Sequence, residues 1–126
     1  MGVVTTTFGT HSVSKIIRDL DCDDTVQHNV NGGSAVVQQV YINNSAKASN
    51  PVYIHMWDAT SGVTYGTTKP SMVLYCAAGS TENYVFPDGL TFSTGLSIGG
   101  SRTNGAVASW SPTAPATAVA VSIYID

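Results

Sequence analysis

The sequence predicts an all-β protein, an antiparallel β-sandwich or jelly roll of seven to eight strands. Three observations predict this fold class: apolar residues alternate with a period of two, turn residues recur at short intervals, and no sustained helical repeat separates them. Such alternation is typical of strands with one buried face, because successive side chains of a strand point to opposite sides. The length and the absence of a linker predict a single domain over residues 1–126.

The N-terminal third carries the weakest patterns. Residues 3–8, VVTTTF, and 26–30, VQHNV, are short strand candidates. In residues 12–20, SVSKIIRDL, the apolar positions follow the spacing of one helix face and Ser12 is placed as an N-cap, which predicts a short N-terminal helix. The β-branched residues of this segment leave a strand as the alternative.

The clearest strand is predicted at residues 52–58, VYIHMWD. Its alternation separates an aliphatic face from an aromatic face. The aliphatic face carries Val52, Ile54 and Met56, and the aromatic face carries Tyr53, His55 and Trp57. In residues 34–43 the same period places Val36, Val40 and Ile42 on one face. Further strands are predicted at residues 71–77, 82–86, 90–98 and 118–125.

Turn residues separate the predicted strands. Pro87-Asp88-Gly89 lies between the strands at 82–86 and 90–98 and predicts a turn that joins them, because Pro presets φ and Gly accepts positive φ. Similar turn signals are Asn31-Gly32-Gly33, Ser61-Gly62 and Asn104-Gly105.

Charge is scarce in this chain. Charged residues make up 10% of the sequence, against roughly a quarter in a typical soluble domain. A surface of Ser, Thr, Asn, Gly and Ala is inexpensive to bury against a partner, so a large interface and a homo-oligomer are expected. With a net charge of −3 and five basic residues in all, the chain lacks the basic patch that binding to nucleic acid or to an anionic membrane requires.

The compartment is predicted from what the sequence lacks. No run of about 18 apolar residues occurs, and residues 1–10 do not have the pattern of a signal peptide. We therefore expect folding in the cytoplasm in which the chain is made. In such a reducing compartment Cys22 and Cys76 are expected to be free and buried.

The sequence offers no set of residues for catalysis. His11, His28 and His55 lie in unrelated segments without metal-ligand spacing, and no nucleophile is paired with a base. The acidic segment 19–24, DLDCDD, lacks the pattern of a calcium loop and is expected to be solvated. The chain is therefore predicted to be no enzyme and to hold neither a metal nor another cofactor.

The aromatic residues are the candidate contact residues. Tyr53, His55 and Trp57 share one face of a predicted strand, and Tyr65 and Trp110 lie in predicted loops. Aromatic side chains anchor protein interfaces, and they also form stacking platforms for sugars. We expect these five residues at an interface; a covered second face of the strand and a sugar platform are the alternatives.

Residues 50–100 resemble a pattern of strands and turns found in small virion proteins of tailed bacteriophages, of the capsid decoration (cement) type. The matching stretches are residues 52–58 (VYIHMWD), 66–70 (GTTKP), 78–80 (AGS) and 86–97 (FPDGLTFSTGLS). Residues 1–33 lie outside the resemblance.

The resemblance implies a protein on the capsid surface that binds the assembled shell of major capsid protein and stabilises it. It implies a homo-oligomer, such as a dimer or trimer, made in the host cytoplasm, and it transfers no functional residue. Residues 1–24 are then a candidate docking segment for the capsid. The alternative is a phage tail or fibre β-sandwich that binds a carbohydrate receptor.

Overall fold

The computed structural model describes residues 3–7, 14–46, 49–104, 110–115 and 118–126. These residues form eight β-strands and no helix, which confirms the predicted all-β class. The strands are β1 (Val3–Thr7), β2 (Lys15–Asp19), β3 (Ala35–Asn43), β4 (Val52–Asp58), β5 (Met72–Cys76), β6 (Thr81–Phe92), β7 (Leu96–Ser101) and β8 (Ala120–Ile125).

The strands form two antiparallel sheets that pack as a sandwich. The first sheet has five strands in the order β1-β2-β8-β3-β6, and the second has three in the order β5-β4-β7. One hydrophobic core lies between them, because the inward side chains of both sheets are buried together. The inward set includes Ile17, Val40, Ile42, Val121, Ile123 and Ile125 from the first sheet and Val52, Ile54, Met56, Leu74 and Ile98 from the second.

A bulge in β3 changes which of its residues face the core. Val37 pairs with Ile125, and Gln39 pairs with the adjacent Tyr124, so that β3 contains one more residue than its partner. Val37 is therefore buried in the core, and Val36 lies on the other side, half-buried. The prediction that Val36 shares a face with Val40 was wrong for this reason.

The N-terminal segment forms the strand that was the alternative to a short helix. Lys15–Asp19 forms β2, which pairs with β1 on one side and with β8 on the other. Two ladders satisfy its backbone, and Ile17 packs in the core opposite Ile123. The strand predicted at 3–8 is confirmed for Val3–Thr7, and Phe8, His11 and Ser12 lie outside the described residues. Residues 26–30 contribute only a bridge between Gln27 and Ile98.

The turn predicted at Pro87-Asp88-Gly89 does not join two strands. Thr81–Phe92 is one strand, and residues 86–89 bulge out of it opposite Gln38. The bulge accommodates Pro87, which has no N–H to donate to a ladder. Gly89 in this bulge has a φ of 78°, and a Cβ added to it would lie 2.5 Å from a methyl group of Val36. Glycine therefore fits this position better than any residue with a side chain.

The true change of direction lies inside the strand predicted at 90–98. Leu90–Phe92 ends β6 in the first sheet, and β7 begins at Leu96 in the second sheet. Asp58 holds the connection, because its carboxylate accepts hydrogen bonds from the backbone N–H groups of Thr94 (2.8 Å) and Gly95 (3.2 Å). A turn without proline therefore separates the two sheets, and a proline lies within a strand.

Both cysteines are free and buried, as expected. The described residues contain no helix, and therefore none that is long and apolar enough to cross a membrane.

Candidate functional site

Four of the five predicted contact residues converge on the outer side of the three-stranded sheet. His55 and Trp57 project from β4, Tyr65 comes from the following loop, and Trp110 comes from the segment before β8. The ring centroid of Tyr65 lies 4.9 Å from that of Trp57, 5.2 Å from that of His55 and 5.5 Å from that of Trp110. We call these four residues the aromatic cluster. Tyr53 is separate from it and packs against Tyr75, with 5.2 Å between ring centroids.

Two hydrogen bonds to backbone carbonyls hold the loop on the sheet and the C-terminal segment on the loop. The indole N–H of Trp57 donates to the carbonyl of Thr68 (2.9 Å), and the backbone N–H of Trp110 donates to the carbonyl of Gly66 (2.9 Å). Gly66 has a φ of 90°, and a Cβ there would overlap the carbonyl oxygen of Trp110. Glycine is therefore required where the two segments meet.

Gly99 leaves the space that Tyr65 fills. A Cβ at this position of β7 would lie 2.5 Å from the Tyr65 ring. The absence of a side chain on Gly99 therefore lets the Tyr65 ring lie directly against the backbone of β7.

His55 is the polar centre of the aromatic cluster. Its Nδ1 lies 2.7 Å from the hydroxyl of Tyr65, while its Nε2 is buried and has no hydrogen-bond partner. Burial lowers the pKa of His55 from 6.5 to about 4, although the Tyr53 carbonyl opposes the shift. Burial also raises the pKa of Tyr65. His55 is therefore neutral at pH 7, and its ring packs among aromatic rings without a charge.

The burial of the aromatic cluster limits what its members can touch. His55 is 0% exposed and Trp57 is 2% exposed, so neither ring has a free face. One alternative for β4 was that its aromatic face is covered by the chain itself. For His55 and Trp57 the described residues form such a covered face. Tyr53, Tyr65 and Trp110 are half-buried, and for these three a contact with a partner stays a prediction.

The outer side of the five-stranded sheet is less completely buried than the aromatic cluster: most of its side chains are half-buried or exposed, and Ile16 is 8% exposed. Antiparallel partners share a face, so the register places two continuous rows of side chains across all five strands. The first row is Thr6, Ile16, Tyr124, Gln39 and Val85, and the second is Val4, Arg18, Ser122, Tyr41 and Asn83. We call these ten residues the outer face.

The outer face carries one charged residue, Arg18, which donates to the hydroxyl of Thr6 (3.4 Å). Val85 is 60% exposed and Val4 is 50% exposed, at opposite ends of the two rows. Gln39 donates to the side-chain oxygen of Asn83 (2.7 Å), so neighbouring polar groups satisfy each other. Sequence reasoning missed this surface as a unit, although the uncharged alternate positions of the strands at 82–86 and 118–125 were its signal.

The acidic segment 19–24 is only partly solvated, in contrast to the expectation. Asp19 is 1% exposed, and its carboxylate accepts a hydrogen bond from the backbone of Asp21 (3.2 Å). Burial raises the pKa of Asp19, and burial with the neighbouring carboxylates raises the pKa of the Cys22 thiol. Within the described part of the chain no group of three or more His, Cys, Asp or Glu could hold a metal ion, and no pocket is found.

These features define an antiparallel β-sandwich whose three-stranded sheet is covered around His55 and Trp57 by the chain's own segments, and whose five-stranded sheet has an outer face with a single charged residue. Comparison of the chain with protein-family models, with curated proteins and with solved structures found no match.

Proposed function

We propose that this chain is a structural adhesion protein of a bacteriophage particle, of the capsid decoration type, and that its outer face binds the assembled shell of major capsid protein. The observation that carries the proposal is the pair of five-residue rows with a single charged residue, Arg18. The resemblance of residues 50–100 to small phage virion proteins supports the same class.

The composition of the outer face suits adhesion. Tyr41 and Tyr124 are half-buried in its middle, and the exposed Val4 and Val85 lie at its margins. Tyrosine contributes a large contact area at a low cost in conformational entropy, and uncharged side chains cost less to desolvate than charged ones when a partner covers them. An extended surface on which the described residues form no pocket fits another protein surface, such as a shell, better than it fits a small ligand.

Stabilisation of a shell needs no chemistry. A protein that binds the assembled shell and not the free subunit stabilises the shell by RT ln(1 + [L]/Kd) at each site, which is about 2.7 kcal/mol at a hundredfold excess over Kd. Repetition over many sites makes the effect large for the whole particle.

The test is cosedimentation with expanded empty shells of the cognate phage, compared with free major capsid protein. We expect saturable, stoichiometric binding to shells alone. Val85→Lys should abolish or strongly weaken it, because a lysine in the outer face must lose its hydration on contact. Tyr75→Lys, a change of an exposed apolar residue of β5 in the other sheet, is the matched control and should bind normally. Equal binding by the two variants would reject the outer face as the docking surface.

Carbohydrate binding by a tail or fibre protein is the alternative, and Trp110 is its remaining tryptophan candidate because Trp57 is buried. A glycan array followed by Trp110→Ala tests it. Specific glycan hits that disappear in this variant, without binding to shells, would favour the alternative.

A further inference from the structure

The two sheets have four edge strands, β1 and β6 in the first sheet and β5 and β7 in the second. They differ in whether their unpaired backbone N–H and C=O groups are covered. An open edge strand can pair with another chain, so natural proteins cover, bulge or charge such edges. The free edge of β7 is covered by residues 23–30 of the same chain. Four backbone hydrogen bonds of 2.7–3.0 Å do this, joining Gln27 to Ile98 twice, Val30 to Leu96 and Gly100 to Asp23.

The edges of β5 and β6 lie near each other and are also protected. The hydroxyl of Tyr84 on β6 donates to the backbone carbonyl of Tyr75 on β5 (2.6 Å). The β6 strand itself contains Glu82, Pro87 and the bulge at 86–89. A charge, a residue without an N–H and an irregular backbone are the three common obstacles to further pairing.

The β1 edge has none of these devices. Its five residues, VVTTT, are uncharged and β-branched, and they pair with β2 in an unbroken register. No described residue pairs with its other side. The strand is well exposed, and its central residue Thr5 is among the exposed ones. Among the described strands it is therefore the edge best prepared to receive another strand.

We propose that β1 pairs with β1 of a second copy of this chain, antiparallel and around a two-fold axis at Thr5, so that two five-stranded sheets become one continuous sheet. This register uses all five residues. It sets Val3 opposite Thr7 and Val4 opposite Thr6 of the second copy, and it sets the two Thr5 residues opposite each other. The pairs are uncharged and β-branched, a favourable combination across antiparallel strands.

The second copy is the occupant because β1 is the edge left open among the described strands, and every copy carries it. Since the described edges of β5, β6 and β7 are protected, β1 is the described edge through which copies can add strand to strand. Such a contact is isologous and closes at two chains, which leaves no open edge for further growth. No like charges meet at the axis, since β1 has none. The inference does not depend on capsid binding, and its test contains no shell.

The test is sedimentation equilibrium of the full chain from micromolar to millimolar concentration. We expect a monomer–dimer equilibrium. Thr5→Lys and Thr5→Glu should each weaken self-association by roughly fivefold, because like charges then face each other at the axis. An equimolar mixture of the two variants should restore dimers, since Lys then faces Glu. Thr81→Lys, the same substitution at an exposed position of β6, is the control and should dimerise like the original chain.

Three outcomes would overturn the proposal. They are a monomer at every concentration, unchanged dimerisation of both Thr5 variants, and a mixture that associates no better than either variant alone. Amide hydrogen exchange supplies a second readout, because dimerisation should protect amides within Val3–Thr7 as the concentration rises. Thermal unfolding of the dilute variants must match the original chain, and the exposure of Thr5 makes that expected.

Discussion

The outer sides of the two sheets are formed by similar alternating strands but differ in how far they are buried. On the three-stranded sheet, His55 and Trp57 are covered by Tyr65 and Trp110 from the chain's own loops. On the five-stranded sheet, the residues of the outer face are half-buried or exposed apart from Ile16, and they include a single charge, Arg18. The difference teaches that an apolar outer row is not by itself an interface, because loops can complete a third layer.

The largest effect is expected where the covered side is broken. Trp57→Ala should lower the free energy of unfolding by about 3–5 kcal/mol, because it removes a large side chain that is buried on all sides. Urea unfolding followed by circular dichroism measures the change. A loss below about 1 kcal/mol would mean that the loop layer contributes little to stability.

The next effect is a dependence on pH. The pKa of His55 is about 4 in the folded chain against 6.5 in a model peptide, so the unfolded state binds more protons between these values. Its stabilising contribution is therefore complete above pH 6.5 and is lost as the pH falls towards 4, by roughly 3 kcal/mol at about 1.36 kcal/mol per pKa unit.

His55→Gln is the control for the pH effect. The raised pKa of Asp19 acts in the opposite direction, since it stabilises the fold as the pH falls. The difference between the original chain and the variant removes that contribution. Urea unfolding at pH 7, 5.5 and 4 measures it, and parallel curves for the two proteins would contradict the assignment to His55.

A matched pair of glycines separates packing from backbone strain within the covering loop. Gly66→Ala should cost about 2 kcal/mol or more, because it adds a clash with the Trp110 backbone to the strain of a positive φ. Gly62→Ala, with a φ of 74° and open space around it, should cost only about 1 kcal/mol. Thermal unfolding compares the two. Equal losses would place the whole cost in the backbone conformation.

The smallest effect on stability is expected on the outer face. Val85→Lys should change the free energy of unfolding by no more than about 0.5 kcal/mol, because Val85 is 60% exposed. The same variant is expected to lose binding to shells, which sharpens the contrast with Trp57→Ala. A large loss of stability in Val85→Lys, measured by urea unfolding, would show that the outer face contributes to the fold itself.

Much of the fold could be predicted from local patterns. The strands around Val52, Met72 and Ala120 followed from alternation alone, because a period of two reports the pleat of each strand. The phase of the alternation around Val37 could not be predicted, since a bulge depends on the partner strands. The strand at Lys15–Asp19 was hidden for a similar reason: its helical spacing was overridden by two neighbouring ladders.

The candidate sites divide in the same way. The aromatic residues were identified from sequence, yet their burial depends on how Tyr65 and Trp110 return to β4, which local pattern does not encode. The outer face could not be recognised as a unit from sequence, because its two rows together take two residues from each of five separate strands.

The amino-acid sequence on its own determined the all-β class, the low charge and most strand positions, since each depends on composition or on neighbours along the chain. Tertiary structure alone decided that Pro87 would lie in a bulge and that the chain would cross between sheets at residues 93–95. It also decided which aromatic rings are covered and that β1 is left at an edge. The physical reason is that hydrogen-bond ladders and burial join residues far apart in the chain, so their outcome is a property of the assembled sheets.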